Sequence, residues 1–474
     1  MAPKLTLVLI EKTPSQKKRE LYYTPEKELQ IAEKRNYWQF RTRHQDIEEF
    51  LTKIFLPAGY PKTVTPDYLQ YQVLNAAQAF CNSLASLLAS RAVLEGMGVG
   101  DPSASSTYAM LLSVLQDAFG RITTIFGAYY LGTFLVPEAK LYRFLADVLN
   151  DLAVIIDTLS PIFSSFLFPG ARVLGLCTSA ALRALCGVVA GGSKAAITLH
   201  FATPSTGSGD VGDLNAKDSS KETVLALMGM LLGGLIVPYI TSPWAIYPLL
   251  FILIFLHLTI NYAAVHVLAI RNLNKQRATI AWLCYRSDKE KLLFPQTVAK
   301  HELLFDPPGT LRDPNTHRVI GECHIGSAPL DVMRGSALSM DFIEIFAADK
   351  YLVCFDPRTP LTERSTHDPK CRPSIHVCFR DNYSLDDQLK GWLHAVEICR
   401  LISLRKIPEL SDPEATQAAL IKSTYEDIKN FYDPFKKKLE KDGWNLAEHH
   451  LMSGNGPKAC LSGVAETSQR KISP

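Results

Sequence analysis

The sequence contains no CxxC pair among its ten cysteines, no metal-ligand spacing and almost no net charge. Each absence excludes something. Scattered cysteines, several of them in apolar segments, fit a reduced intracellular protein rather than a disulfide framework. The histidines at 317, 324, 367 and 376 and the cysteines at 323, 371 and 378 fall in one region without zinc spacing, so no metal is expected. Fifty Lys and Arg against 47 Asp and Glu give a net charge of +3, which argues against a nucleic-acid partner. The N-terminal MAPKLTLVLIEKTPSQKKR has too short an apolar stretch for a signal peptide. No Ser/His/Asp order, nucleophile elbow or pair of catalytic carboxylates stands out in the polar segments. The expectation is therefore a non-enzyme, with no catalytic residues and no cofactor.

Apolar residues are concentrated between Ala76 and Ile270. Six helices are predicted, at 68–95, 106–136, 138–160, 171–201, 221–240 and 244–271. Gly96–Pro102, Pro137, Pro161, Pro169 with Gly170, the Gly/Ser/Asp loop 204–220 and Thr241–Trp244 separate them. Most are apolar over most of their surface with a narrow polar stripe, which suits a lipid exterior and a polar interior. In the third, Asp147, Asn150, Asp151, Asp157 and Thr158 fall within about 80° of Arg143 at about 100° per residue. In the fourth, Ser179, Arg183 and Lys194 align with Arg172. The second aligns Gln116, Asp117, Gly120, Arg121 and Thr124. His257 and Asn261 share a face of the sixth with Arg271. The first, with Gln72, Asn75, Gln78, Asn82, Ser86 and Ser90 on one face, is the least hydrophobic; it either lines the bundle or lies at the interface. Acids on the third helix are expected to meet bases on the fourth, Asp151 with Arg183 foremost.

The candidate path residues are thus Asp117, Arg121, Asp147, Asp151, Asp157, Arg183, Lys194, His257 and Asn261. A structural ion-pair network is the competing reading. Lys and Arg cluster in alternate connections, at Lys140 and Arg143, Lys217 and Lys221, then Arg271, Lys275 and Arg277, so six spans with both termini in the cytoplasm are expected. Gly187–Lys194 lacks the spacing of a phosphate-binding loop and lies inside an apolar helix; it is read, like Gly229 and Gly233, as close helix packing. Gly96–Gly100 reads as a helix-terminating loop.

Four segments are expected: a basic N-terminal segment 1–50 with a short strand and a helix, a helical membrane domain 51–285, a cytosolic α+β domain 286–444, and a disordered tail 445–474. The fold class is mainly α, a multi-span helical membrane bundle with a small α+β domain. In the latter, strands are predicted at 319–325, 342–346, 351–355 and 374–379, and helices at 385–404 and 416–441.

Phe55-Leu-Pro-Ala-Gly-Tyr-Pro-Lys-Thr-Val-Thr-Pro-Asp-Tyr-Leu-Gln-Tyr-Gln72 resembles the opening signature of the root UVB sensitive (RUS) family. So do Asp147-Val-Leu-Asn-Asp151, Leu159-Ser-Pro161, Gly191-Gly-Ser-Lys-Ala-Ala-Ile-Thr-Leu-His-Phe201, Asp218-Ser-Ser-Lys-Glu-Thr223 and Asn272-Leu-Asn-Lys-Gln-Arg277. Asp387-Gln-Leu-Lys-Gly-Trp-Leu-His-Ala395 resembles the family's C-terminal part. The resemblance implies a eukaryotic membrane-associated protein, with links in plants to light-dependent seedling growth, auxin distribution and vitamin B6 homeostasis. It implies membrane lipid and a RUS paralogue as partners, with a homo-oligomer the open alternative. It supplies no catalytic residues. A transporter-like protein for a small polar or charged metabolite is the leading expectation, and a non-catalytic membrane scaffold acting through its C-terminal domain is the alternative.

Overall fold

A computed structural model describes residues 6–12, 18–23, 29–33, 50–99, 105–166, 170–204, 207–240, 242–287, 293–328, 345–356, 372–406, 413–452 and 458–459. It divides into two compact units, Met1–Pro66 with Phe201–Val224 and Asp67–His200 with Leu225–Pro474.

The first unit contains an antiparallel meander, β1 (Thr6–Lys12), β2 (Lys18–Tyr23) and β3 (Leu29–Glu33). The sequence predicts one strand and a helix here. Three short runs form strands where one is expected, and residues 34–49, on which the expected helix can fall, lie outside the described part. In the same unit the Pro-rich segment is tied to 201–224. Thr65 N–H donates to Phe201 O at 3.3 Å, Ala58 N–H donates to Asp213 Oδ2 at 2.8 Å, and Lys217 Nζ donates to Lys53 O.

Six long helices follow: α1 (Tyr68–Gly96), α2 (Ser106–Leu131), α3 (Ala139–Phe166), α4 (Ala171–Ala202), α5 (Val211–Ile236) and α6 (Pro243–Val267). Their ends depart from expectation for local reasons. The expected loop 204–220 stops early because Asp210 Oδ1 accepts the N–H groups of Gly212 and Asp213 and starts α5. Pro161 does not end α3, which continues to Phe166. α6 stops at Val267, so Arg271 is not on its face; the guanidinium donates instead to Gly443 O at 2.6 Å. Four of the six are long and apolar enough to cross a membrane: α2, α4, α5 with its short extension to Tyr239, and α6. α1 and α3 are too polar, because they carry the amides and charges described below.

In the second unit α1, α3 and α6 pack on one another around Ala85, Leu88, Ala89, Val154, Leu250, Leu253 and Ile254. α5 approaches α1 through Gly229 and Gly233, where a Cβ would meet Ser83 and Leu87. The expected small-residue packing fails at Gly187 and Gly191, which face open space; Gly192 alone of that run packs, against Leu135. Arg172 donates to Gly96 O and Val93 O, placing a cation on the carbonyls that end α1.

Beyond α6 come β4 (Asn272–Asn274), α7 (Lys275–Arg286), α8 (Pro295–His301), β5 (Thr310–Arg312), β6 (Val319–Ile325), β7 (Tyr351–Phe355), β8 (Ser374–Arg380), α9 (Leu385–Ser403), α10 (Pro413–Lys441), β9 (Asn445–His450) and β10 (Lys458–Ala459). β8 pairs antiparallel with β7 and parallel with β6, and β5 lies antiparallel on β6. Residues 342–344 of the expected strand 342–346 lie outside the described part. One core runs from Leu273 to Leu451 and includes Trp282, Cys284, Trp392 and Phe435. α7 belongs to it, so the domain begins at β4 rather than at the expected 286. The expected disordered tail is also corrected. β9 pairs with β4, β10 pairs with β8, and Trp444 Nε1–H donates to Leu293 O at 2.7 Å. The rest of the tail, 453–457 and 460–474, lies outside the described residues.

Candidate functional site

Helical spacing places Arg143, Asp147, Asn150 and Asp151 on one side of α3, His257 and Asn261 on one side of α6, and Asn75, Gln78 and Asn82 on one side of α1. Packing brings the three sides together as a buried polar seam. His257 Nδ1 lies 2.8 and 2.9 Å from the two Asp151 oxygens, and its Nε2 is 4.0 Å from Asp147 Oδ2. Asn261 Nδ2 donates to Asp147 Oδ2 at 2.7 Å. Arg143 Nη2 donates to Asn75 Oδ1 at 3.0 Å and stands 3.9 Å from Asp147 Oδ2. Gln78 Nε2 donates to the same Asn75 oxygen at 2.8 Å, and Asn150 Nδ2 donates to Asn82 Oδ1 at 2.8 Å.

The seam is rich in acceptors. Two carboxylates face Arg143 and His257, and among the described residues Asn261 Oδ1 and Gln78 Oε1 are buried with no donor. A buried acceptor left open is costly, about 1–3 kcal/mol. The arrangement therefore suits a guest carrying hydroxyl, amine or other donor groups, or a cation. It is closed to solvent, with Asp151, His257 and Asn261 at most 2% exposed. A cavity of about 440 Å³ lies elsewhere, between the end of α1 and α5, lined by Leu87, Arg91, Glu95, Gly233 and Pro238 among others.

Of the nine residues singled out from sequence, Asp147, Asp151, His257 and Asn261 meet here. Asp151 does not pair with Arg183, because α6 rather than α4 covers it. Arg183 takes Asp157 instead, at 2.6 Å. Lys194 is half-buried near the end of α4. Asp117 and Arg121 pair with each other at 2.8 Å on an exposed side of α2, far from any interior role.

Sequence reasoning missed three other clusters, because helical period shows a face but not its partner. Asp67, the residue before α1, makes no cap hydrogen bond; its Oδ2 accepts Ala269 N–H at 2.8 Å and lies 2.9 Å from His200 Nε2. Glu302 accepts from Arg277 Nε at 2.6 Å and from Lys140 Nζ. Burial would raise its carboxyl, but these cations hold it below the ordinary carboxylate value. In the sheet, Ser327 Oγ lies 2.8 Å from His376 Nδ1, whose Nε2 is 3.3 Å from Asp356 Oδ2; the hydroxyl also reaches His324 O at 2.9 Å.

Residues 41–289, which hold the whole seam, match the family described as the vitamin B6 photo-protection and homoeostasis domain. Residues 369–455 match the root UVB sensitive protein C-terminal family. The chain belongs to the RUS family. It is 33% identical over 270 residues to RUS family member 1 of Dictyostelium discoideum, covering 56% of this chain and 50% of that relative's length. Over 412 residues it is 29% identical to protein root UVB sensitive 3 of Arabidopsis thaliana, covering 85% and 84% of the two chains. Over 399 residues it is 24% identical to the Arabidopsis protein root UVB sensitive 2, chloroplastic, covering 84% and 82%. No solved structure matches the chain. The RUS resemblance drawn from the sequence motifs therefore holds over both the helical region and the C-terminal domain.

Proposed function

We propose that this RUS protein is an integral membrane protein with six spans, both termini in the cytoplasm, that moves a small polar or charged metabolite along the seam between α1, α3 and α6. One observation carries the reading: polarity is inverted relative to a water-soluble bundle. Asp151, His257, Asn261 and Gln78 are buried, while Ile125, Leu235 and Phe255 are about two-thirds exposed or more. Soluble proteins bury the second group and solvate the first. Intramembrane ionisable groups that face inward and pair with one another mark substrate and ion pathways. Exposed Tyr129 and Tyr130 at one end of α2, with Tyr239 and Trp244 between α5 and α6, supply aromatic residues for both interfaces.

In this reading α1 and α3 insert because their polar sides face each other and α6, and the chain carries solute rather than catalysing a reaction. B6 vitamers are the first solutes to test, because the matched family is described by vitamin B6 homoeostasis. The test is uptake by liposomes carrying purified protein, against a panel of B6 vitamers, amino acids and organic ions. Uptake of one class by the unmodified chain, lost in Asp151→Asn at equal incorporation, supports the reading. Equal uptake by the two proteins for every solute sinks it. The closure of the seam favours a second reading, a membrane scaffold whose seam is structural. That reading expects Asp151→Asn and His257→Gln to complement a deletion strain whenever the protein reaches normal abundance.

A further inference from the structure

α2 is the least covered of the apolar helices. It rests on α4 along one narrow line, with Leu112 and Gly127 its only buried residues, and Gly120 and Gly127 bring its backbone close to Ala184 and Leu185. Beside that line runs a second one, Ser113, Asp117, Arg121, Thr124 and Ala128, at the steps of a single helix face. All five are exposed. Arg121 Nε donates to Asp117 Oδ2 at 2.8 Å, with 77% and 62% of the two side chains exposed. Ser113 and Thr124 turn their hydroxyls back to the carbonyls of Ala109 and Gly120 on their own helix. Met110, Val114 and Ile125 border the stripe, Leu111, Ile122, Phe119 and Phe126 cover the far side of the helix, and all are exposed as well. In a bilayer those apolar neighbours are at home in lipid, whereas a guanidinium and a carboxylate at that depth need a protein neighbour. Among the described residues nothing covers them.

We propose that a second copy of this chain covers the stripe, α2 against α2, in a two-fold symmetric dimer. The proposal rests on the membrane reading above. Two copies inserted with the same topology are related by an axis normal to the bilayer, so a closed pair sets the two α2 helices parallel and at equal height. At equal height the two Asp117 face each other across the axis with the two Arg121 one turn along, and each Arg121 reaches diagonally to the Asp117 of the other copy as well as to its own. Two separate pairs become a ring of four alternating charges, and each carboxylate gains a second guanidinium. Ser113, Thr124 and Ala128 are small enough to let the backbones approach. A foreign helix would need the same acid and base at the same step; a second copy has them by construction.

The test is disulfide cross-linking in native membranes of Ser113→Cys and Thr124→Cys, with Phe119→Cys on the opposite face. The unmodified chain, whose described cysteines are buried or half-buried, is the blank. A band at twice the chain mass is expected for the first two variants and neither for the third nor for the blank. In parallel, native mass spectrometry of detergent-extracted protein should show a dimer for the unmodified chain. Asp117→Arg should lose it, and the exchanged Asp117→Arg, Arg121→Asp protein should regain it. A monomer in both mild detergent and lipid nanodiscs, cross-linking to a species of any other mass, or equal cross-linking at Phe119 overturns the proposal. Release of the unmodified chain by alkaline carbonate would overturn the membrane reading itself. Retention in the membrane together with a monomer overturns only the dimer.

Discussion

Lys140 and Glu302 are 162 residues apart in the chain and form an ion pair whose side chains are 10% and 7% exposed. The pair fastens the start of α3 to the segment after α8, and Arg277 shares the same carboxylate.

Removing one partner of such a pair strands the other charge, at a cost of about 3–5 kcal/mol. Glu302→Gln and Lys140→Met should each lower the melting temperature of detergent-extracted protein at neutral pH. The pH dependence has a fixed sign. The folded carboxyl is held below its unfolded value of about 4.3. Its stabilisation is therefore complete above that value and is lost as pH falls through the folded pKa. The gap between the unmodified chain and Glu302→Gln should close below about pH 4; a gap that stays constant down to pH 3 contradicts this assignment.

Asp151 and His257 should show coupling in a double-mutant cycle. The expected interaction between Asp151→Asn and His257→Gln is about 0.5–3 kcal/mol, measured by thermal melts of the four proteins. Asp157→Asn and Arg183→Gln should couple as a separate pair. Strict additivity of the Asp151 and His257 changes would remove the seam's central contact.

The glycines separate packing from propensity. Gly229→Ala drives a Cβ into Ser83, which has no free end to swing away, and should cost about 1–3 kcal/mol. Gly187→Ala meets nothing in the described part of the chain and should stabilise α4 by about 0.5–1 kcal/mol through helix propensity. Urea or thermal melts that rank the two variants the other way would refute the α1–α5 contact.

His394 is fully buried beside Thr424 Oγ1 at 2.9 Å, and burial pushes its imidazole down to about 4. The unfolded chain therefore binds a proton that the folded one refuses over the interval between that value and about 6.5. Stability should fall as pH drops through that interval. A His394→Gln chain should show a shallower slope there; identical slopes would mean the imidazole is charged when folded.

Much of this was legible in the sequence. The strands 319–325 and 351–355 and the helix from Leu385 follow from alternation and period, and the polar side of α3 follows from charges at four-residue steps. What period cannot supply is the partner. Asp151 and Asp117 sit on equally clear stripes, yet α6 covers one and no described residue covers the other. Helix order in space decides that, and it depends on contacts such as Gly229 on Ser83 that have no local signature. The tail misled for the opposite reason: Trp444, Leu446, Leu451 and Met452 are a few apolar residues without a clear period in a polar stretch, yet they pack on the C-terminal core and hold β9.

The joint between α6 and β4 has a mechanical consequence. Leu268, Ala269 and Ile270 are all buried, and Asp67 at the head of α1 holds the Ala269 N–H. The chain thus passes from the helix carrying His257 and Asn261 into the C-terminal domain without a hinge. A sliding or tilting stroke of α6 would drag the β4–β9 ribbon with it, and a load on that ribbon would pull directly on the imidazole between Asp147 and Asp151. Cutting away the C-terminal domain removes the anchor of α6 rather than a detachable appendage.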